Sequence, residues 1–180
     1  FLSVFYGSMI MKNIEVKVCI NSFNDVIHRL EKIGAKYKGE LHQVDRYYNC
    51  RTGRLKLREI DKKNLELIFY SRPDKKSAKV SDYEILEVPE NLKQKTEKTF
   101  KKAFGEKVIV KKDRKLWMYK NTRIHLDKVA KLGYFLELET LVKKNMKKSK
   151  EEYKEIFSFL DLDKYKKYKK SYSDMLLAKI

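Results

Sequence analysis

Hydrophobic and polar residues alternate at the start of the chain. Ile14, Val16, Val18 and Ile20 point one way, while Asn13, Glu15 and Lys17 point the other, which predicts a strand over 13–20. The period then changes. Val26, Ile27, Leu30 and Ile33 share a helical face, with Ser22 and Asp25 reading as the helix start and Gly34 as its stop. Period-two patterns return at 37–41, 43–49, 54–60 and 65–72, with 50–53 and 61–64 as hairpin turns. A further strand over 81–88 ends at Pro89, and a lysine-rich amphipathic helix over 91–104 stops at Gly105. Strands near 107–116, 123–126 and 134–142 follow. In the tail, Ser149 with Glu152 resembles a capping box, and Tyr153, Ile156, Phe157 and Leu160 form one stripe. This order predicts one α+β domain over 12–180, with more strands than helices. Residues 1–11 lack a basic leader region, and Gly7-Ser8-Met9 has the form of a cloning scar, so that stretch reads as a tag or leader remnant.

Charge changes the picture. Lysine and arginine number 43 against 25 acidic residues, a formal +18, so an anionic partner is expected: nucleic acid, an acidic membrane or a phosphorylated small molecule. Much of the excess lies in lysine pairs at 143–144, 147–148, 166–167 and 169–170, which ordinarily make a solvated surface. No apolar run approaches the roughly 20 residues of a membrane span. Cys19 and Cys50 show no CxxC or framework spacing, so reduced thiols and a cytoplasmic location are expected.

The charged faces of the strands are selective. Arg54, Lys56 and Arg58 share one face, as do Glu66 with Arg72, Lys112 with Arg114, Arg123 with His125 and Asp127, and Glu137 with Glu139. An antiparallel sheet with one wet face explains any single strand. It does not explain the concentration of arginine. Three cations at two-residue spacing repel one another unless an anion sits among them, and arginine's fork matches phosphate oxygens. Carboxylates cluster apart, at Glu15 and at Glu137 and Glu139, as a Mg²⁺- or Mn²⁺-complexed polyphosphate requires. If the charged face turns inward, helices must cover the apolar face outside.

In this order the residues resemble the CYTH superfamily, the triphosphate tunnel metalloenzymes. Its opening Glu-x-Glu-x-Lys reads Asn13-Ile14-Glu15-Val16-Lys17, with Asn at the first motif position. The middle is similar to the CyaB, or class IV adenylyl cyclase-like, branch: Asp45-Arg46-Tyr47-Tyr48, Gly53-Arg54-Leu55-Lys56-Leu57-Arg58-Glu59, Leu67-Ile68-Phe69-Tyr70-Ser71-Arg72-Pro73-Asp74 and Lys79-Val80-Ser81-Asp82-Tyr83. Val110-Lys111-Lys112-Asp113-Arg114, Arg123-Ile124-His125-Leu126-Asp127, Leu136-Glu137-Leu138-Glu139 and Lys170-Ser171-Tyr172-Ser173-Asp174 continue the match.

The resemblance implies an eight-stranded antiparallel β tunnel, a closed barrel with a charged lumen, flanked by helices. It implies that Lys17, Lys56, Arg58, Arg72, Arg114 and Arg123 contact phosphate, with Arg54, Lys79, Lys112 and Lys170 as further substrate-binding candidates. Glu15, Glu137 and Glu139 would hold Mg²⁺ or Mn²⁺, with Asp127 and Glu66 assisting, and Asn13 leaves one or two metals open. Glu15, Lys17, Arg58, Arg114, Glu137 and Glu139 form the implied catalytic set. His125 reads as a hydrogen-bonded structural residue, and Tyr47, Tyr48 and Tyr70 as core or rim. The leading expectation is a metal-dependent hydrolase of a triphosphate compound. The alternative is an adenylyl cyclase making cyclic AMP and pyrophosphate, and a lesser one is a non-catalytic RNA- or polyphosphate-binding protein. Expected partners are a triphosphate-bearing small molecule, with nucleic acid secondary and no membrane, in a monomer or homodimer.

Overall fold

The computed structural model describes residues 12–71, 82–142 and 145–179. Arg72, Lys79, Lys143, Lys144 and the 1–11 stretch lie outside these. Strands form where alternation is cleanest: β1 Lys12–Ile20, β2 Lys36–Tyr48, β3 Arg54–Ile60, β4 Asn64–Ser71, β5 Asp82–Val88, β6 Glu106–Tyr119, β7 Thr122–Val129 and β8 Gly133–Val142. They make one eight-stranded antiparallel sheet in the order β1-β8-β7-β6-β2-β3-β4-β5. The two strands expected at 37–41 and 43–49 are one. His42 continues β2 because its N–H donates to Asp61 Oδ1 at 2.7 Å and its carbonyl accepts from Asp61 N–H at 2.8 Å. A bulge between Tyr37 and Gly39 absorbs the register change against β6.

Among the described residues the expected closed barrel is not made by strand pairing, since β1 and β5 are the two ends of the hydrogen-bonded sheet. The outer edge of β1 is partly taken by a C-terminal segment. Tyr168 N–H donates to Lys17 O at 2.8 Å, Cys19 N–H donates to Lys166 O at 3.3 Å, and Val18 bridges Lys167. Backbone groups so engaged are not available to another strand.

The apolar face is covered by helices. α1 Asn24–Lys32 and α3 Met146–Phe159 pack Val26, Leu30 and Ile156 against Val18, Ile20, Ile124, Leu126, Leu136 and Leu138. α2 Lys93–Phe104 lays Phe100 on Tyr48, Leu57 and Leu65. Helix starts differ from the expected ones. Phe23, not Ser22, is the N-cap of α1, and it makes no side-chain cap bond. Asn145 caps α3 by accepting from Lys147 and Lys148 N–H. That leaves Ser149 inside the helix, bonded to Leu141 and Asn145 carbonyls, while Glu152 reaches Asn121 and Thr122. A short fourth helix, α4 Tyr172–Leu177, opens on a true capping box from Ser171 to Asp174. It packs on the other, charged face, with Tyr172 and Leu176 against Tyr47, Val110, Val129 and Phe135.

The β2–β3 turn aims the row Arg54, Lys56, Arg58, and Gly53 sets it. Gly53 has φ +66°, and an added Cβ would sit 2.7 Å from the Tyr70 carbonyl oxygen. Gly53→Ala is expected to destabilise the protein by about 2 kcal/mol or more, read by denaturant unfolding. A change within about 0.5 kcal/mol would contradict the tight turn.

Candidate functional site

The sheet register lines up charges in rows on the face opposite α1, α2 and α3. One row runs Glu15, Glu139, Arg123 across β1, β8 and β7, and the next runs Lys17, Glu137, His125. Asp127 then pairs with Arg114, Lys112 with Gln43, and Asp45 with Arg58 and onward to Glu66. Many of these side chains are buried, although α4 covers only one end of the face. Asp45 is 3% exposed, Lys56 7%, Lys112 6%, His125 6% and Asp127 0%. A single ring shows how this happens. Tyr172 meets Lys17 of β1 at 4.1 Å and Lys112 of β6 at 5.4 Å, although β8 and β7 separate those strands. The charged face therefore curls on itself and turns inward.

Buried charges must be paired. Asp45 Oδ1 accepts from Arg58 Nε at 2.7 Å, and its Oδ2 accepts from Arg58 Nη2 at 2.9 Å and Lys56 Nζ at 3.0 Å. Arg114 forks onto Asp127 at 2.7 and 2.6 Å and also donates to Glu137 at 2.8 Å. Lys17 reaches Glu137 at 3.0 Å, and Arg123 reaches Glu139 at 2.9 Å. Burial alone would raise the carboxyl pKa values. Arg58 and Lys56 nonetheless hold Asp45 well below the usual range, and His125, Lys17 and Arg114 do the same for Glu137. Burial pushes the ammonium groups down, Lys56 to about 7 and Lys112 to about 8.

Lys112 stands out. Among the described residues it has no carboxylate at ion-pair distance, only the Tyr172 ring. A buried cation with no carboxylate in contact is costly, and an anion brought from outside would offset that cost.

The remaining sequence candidates separate. Arg54 is committed to α4, donating to Ser171 at 2.7 Å and to both Asp174 oxygens at 3.0 Å. Lys170 offers its carbonyl to Lys17 Nζ at 3.2 Å, while its side chain is exposed. Glu66 is on β4, five strands along the sheet from β8, and Asp127 has both oxygens engaged by Arg114 and one also by Tyr172 at 2.9 Å. Asp45 belongs to the motif Asp45-Arg46-Tyr47-Tyr48, and its place between Lys56 and Arg58 depends on β2–β3 register, which no local pattern displays.

A metal has a fitting set of donors in His125, Glu137 and Glu139, whose ligand atoms lie within 4.8 Å of one another. Among the described residues, His125 Nδ1 is buried with no hydrogen-bond partner and lies 3.8 Å from an oxygen of each carboxylate. Glu15 stands directly opposite Glu139, whose carboxylate Arg123 pairs at 2.9 Å. Asn13 Oδ1, one step along the same face, is buried and also lacks a hydrogen-bond partner among the described residues.

The CYTH domain profile matches residues 11–172. This chain belongs to the CYTH family. Over 174 residues the CYTH protein is 32% identical to "Putative adenylate cyclase MJ0240" of Methanocaldococcus jannaschii, covering 92% of this chain and 98% of that protein. Its fold is similar to that of PH1012 from Pyrococcus horikoshii, with TM-score 0.73 at 24% identity, covering 90% and 98% of the two chains. HpAC1 from Hippeastrum, described as having a dominant triphosphatase activity, is similar with TM-score 0.66 at 12% identity over 93% and 95%. CYTH enzymes act on triphosphates with a metal ion, and the basic row and carboxylate group here have the matching chemistry.

If His125, Glu137 and Glu139 are the metal's donors, Mn²⁺ titrated by calorimetry should bind the wild type and bind Glu139→Gln at least about tenfold more weakly. Equal affinity would remove Glu139 from the donor set.

Proposed function

We propose that this CYTH protein is a metal-dependent triphosphatase that hydrolyses the terminal phosphoanhydride of tripolyphosphate or of an organic triphosphate. The observation that carries the reading is Lys112, an ammonium buried with no carboxylate at ion-pair distance among the described residues, beside cations that each have one. A triphosphate supplies the missing negative charge and competes for the forks of Arg58 and Arg114, whose two-pronged geometry suits phosphate oxygens as well as carboxylates. Lys56, Arg58, Lys112 and Arg114 form the grip, with Lys17 and Arg123 beside the carboxylates. The inward face is read as the wall of a tunnel, closed by side-chain packing where strand pairing is lacking.

Phosphoryl transfer needs positioning and charge neutralisation more than a protein nucleophile. The row of cations aligns the chain of phosphates and offsets charge on the non-bridging oxygens. Glu137, Glu139 and His125, with Glu15 adjacent, would hold the metal, which would supply Lewis-acid stabilisation of phosphate oxygens. With its pKa held low, Glu137 stays ionised through the neutral range, so it serves as a ligand and orienting group and not as a proton donor.

A second reading has one observation in its favour: the name of the Methanocaldococcus jannaschii relative. In an adenylyl cyclase the 3′-hydroxyl of ATP attacks the α-phosphorus on the same grip, releasing pyrophosphate. The two are separated by products. With Mn²⁺ or Mg²⁺, the triphosphatase reading expects orthophosphate from tripolyphosphate and no cyclic AMP from ATP. Cyclic AMP with pyrophosphate would overturn it. Glu137→Ala should cut turnover by about 10³-fold or more with folding retained, and Lys112→Ala should raise KM by about tenfold.

A further inference from the structure

We infer that Asp45 is a positioning residue for the phosphate grip: a built-in counter-anion that keeps Lys56 charged and aligned with Arg58 until phosphate oxygens arrive. The inference rests on the triphosphate reading above and assigns a role to a residue that makes no claim on substrate itself.

The geometry is specific. Asp45 takes both prongs of Arg58, and its Oδ2 also accepts from Lys56 at 3.0 Å. Lys56 lies 5.6 Å from the Tyr47 ring of β2 and 5.8 Å from the Tyr70 ring of β4. Arg58 of its own strand and Lys112 of β6 add repulsion. Asp45 is the carboxylate that contacts Lys56 among the described residues. Arg58 and Lys56 respond differently to that environment. A guanidinium stays charged whatever surrounds it, whereas a buried ammonium sheds its proton when desolvation outweighs attraction. Burial already brings Lys56 down to about 7 with Asp45 in place. Without Asp45, Lys56 would be a neutral amine at neutral pH, and the grip would lose a cation. A carboxylate is also a good placeholder, since its two oxygens reproduce the spacing a phosphate presents to a guanidinium fork.

The sign follows from the direction of the shift. Lys56 is cationic below its pKa and neutral above, so tripolyphosphate affinity in the wild type should weaken as pH rises through about 7. In Asp45→Asn the loss should begin at least about one pH unit lower, since removing an opposite charge at contact distance shifts a pKa by about one to three units. A role confined to folding would lower stability and leave the pH profile where it was.

The test is calorimetric binding of inorganic tripolyphosphate, in metal-free buffer from pH 5.5 to 9, to wild type, Asp45→Asn, Asp45→Glu and Lys56→Arg. Between pH 5.5 and 7.5, Asp45→Asn should lose roughly tenfold more affinity than the wild type does, the equivalent of about one pKa unit. Asp45→Glu should restore part of the wild-type profile. Lys56→Arg, which does not titrate in this range, should flatten the step near pH 7. Superimposable profiles for wild type and Asp45→Asn would overturn the inference, as would a Lys56→Arg profile that keeps the step. The Lys56 side-chain midpoint, read by NMR in the free protein, supplies an independent arm. An unchanged midpoint in Asp45→Asn overturns the role of Asp45. Failure of the wild type to bind tripolyphosphate at any pH overturns the triphosphate reading on which that role depends.

Discussion

Placing several cations on one buried face of a sheet is unfavourable unless each finds a counter-charge, and the arrangement of this protein follows from that constraint. Desolvating an ion costs several kcal/mol even after the protein relaxes around it. The sheet meets the cost by register. Asp45 lies opposite Arg58, and Asp127 lies opposite Arg114. Asp174 of α4 secures Arg54 from outside the sheet. Lys112 has no carboxylate at ion-pair distance among the described residues, although Asp127 and Asp45 attract it from farther off. The protein's internal carboxylates contact the other cations of the face.

The same constraint explains the placement of the helices. Turning charge inward turns Val18, Ile124, Leu126, Leu136 and Leu138 outward, and α1 and α3 bury them. α2 does the same for Leu57 and Leu65 through Phe100. α4 is the exception, since it lies on the charged face. Tyr172 joins three strands there, through its hydroxyl to Asp127 and its ring near Lys17 and Lys112.

What could be read in the sequence divides along physical lines. Alternation in 13–20 and 134–142 assigns Glu15, Lys17, Glu137 and Glu139 to one face, because side-chain direction in a strand depends only on parity. Ordered motifs located the family. Register between distant strands has no local signature, so the clamp of Asp45 on Arg58 and the approach of His125 to both glutamates were not legible. Caps failed for a different reason. Ser22 and Ser149 are good capping residues, but Asn145 competes for the same helix, and packing fixed the start of α1 at Phe23. A six-residue helix such as α4 is too short for a periodic pattern to reveal.

The central claim is that the anion goes to the inward face and not to the lysine-rich exterior of α2 and α3. NMR of the side-chain nitrogen groups during a tripolyphosphate titration separates the two. The account predicts saturable shifts at Lys56, Arg58, Lys112 and Arg114 before any change at Lys98, Lys101, Lys147 or Lys150. Shifts confined to those surface lysines, weakening steeply with salt, would contradict it.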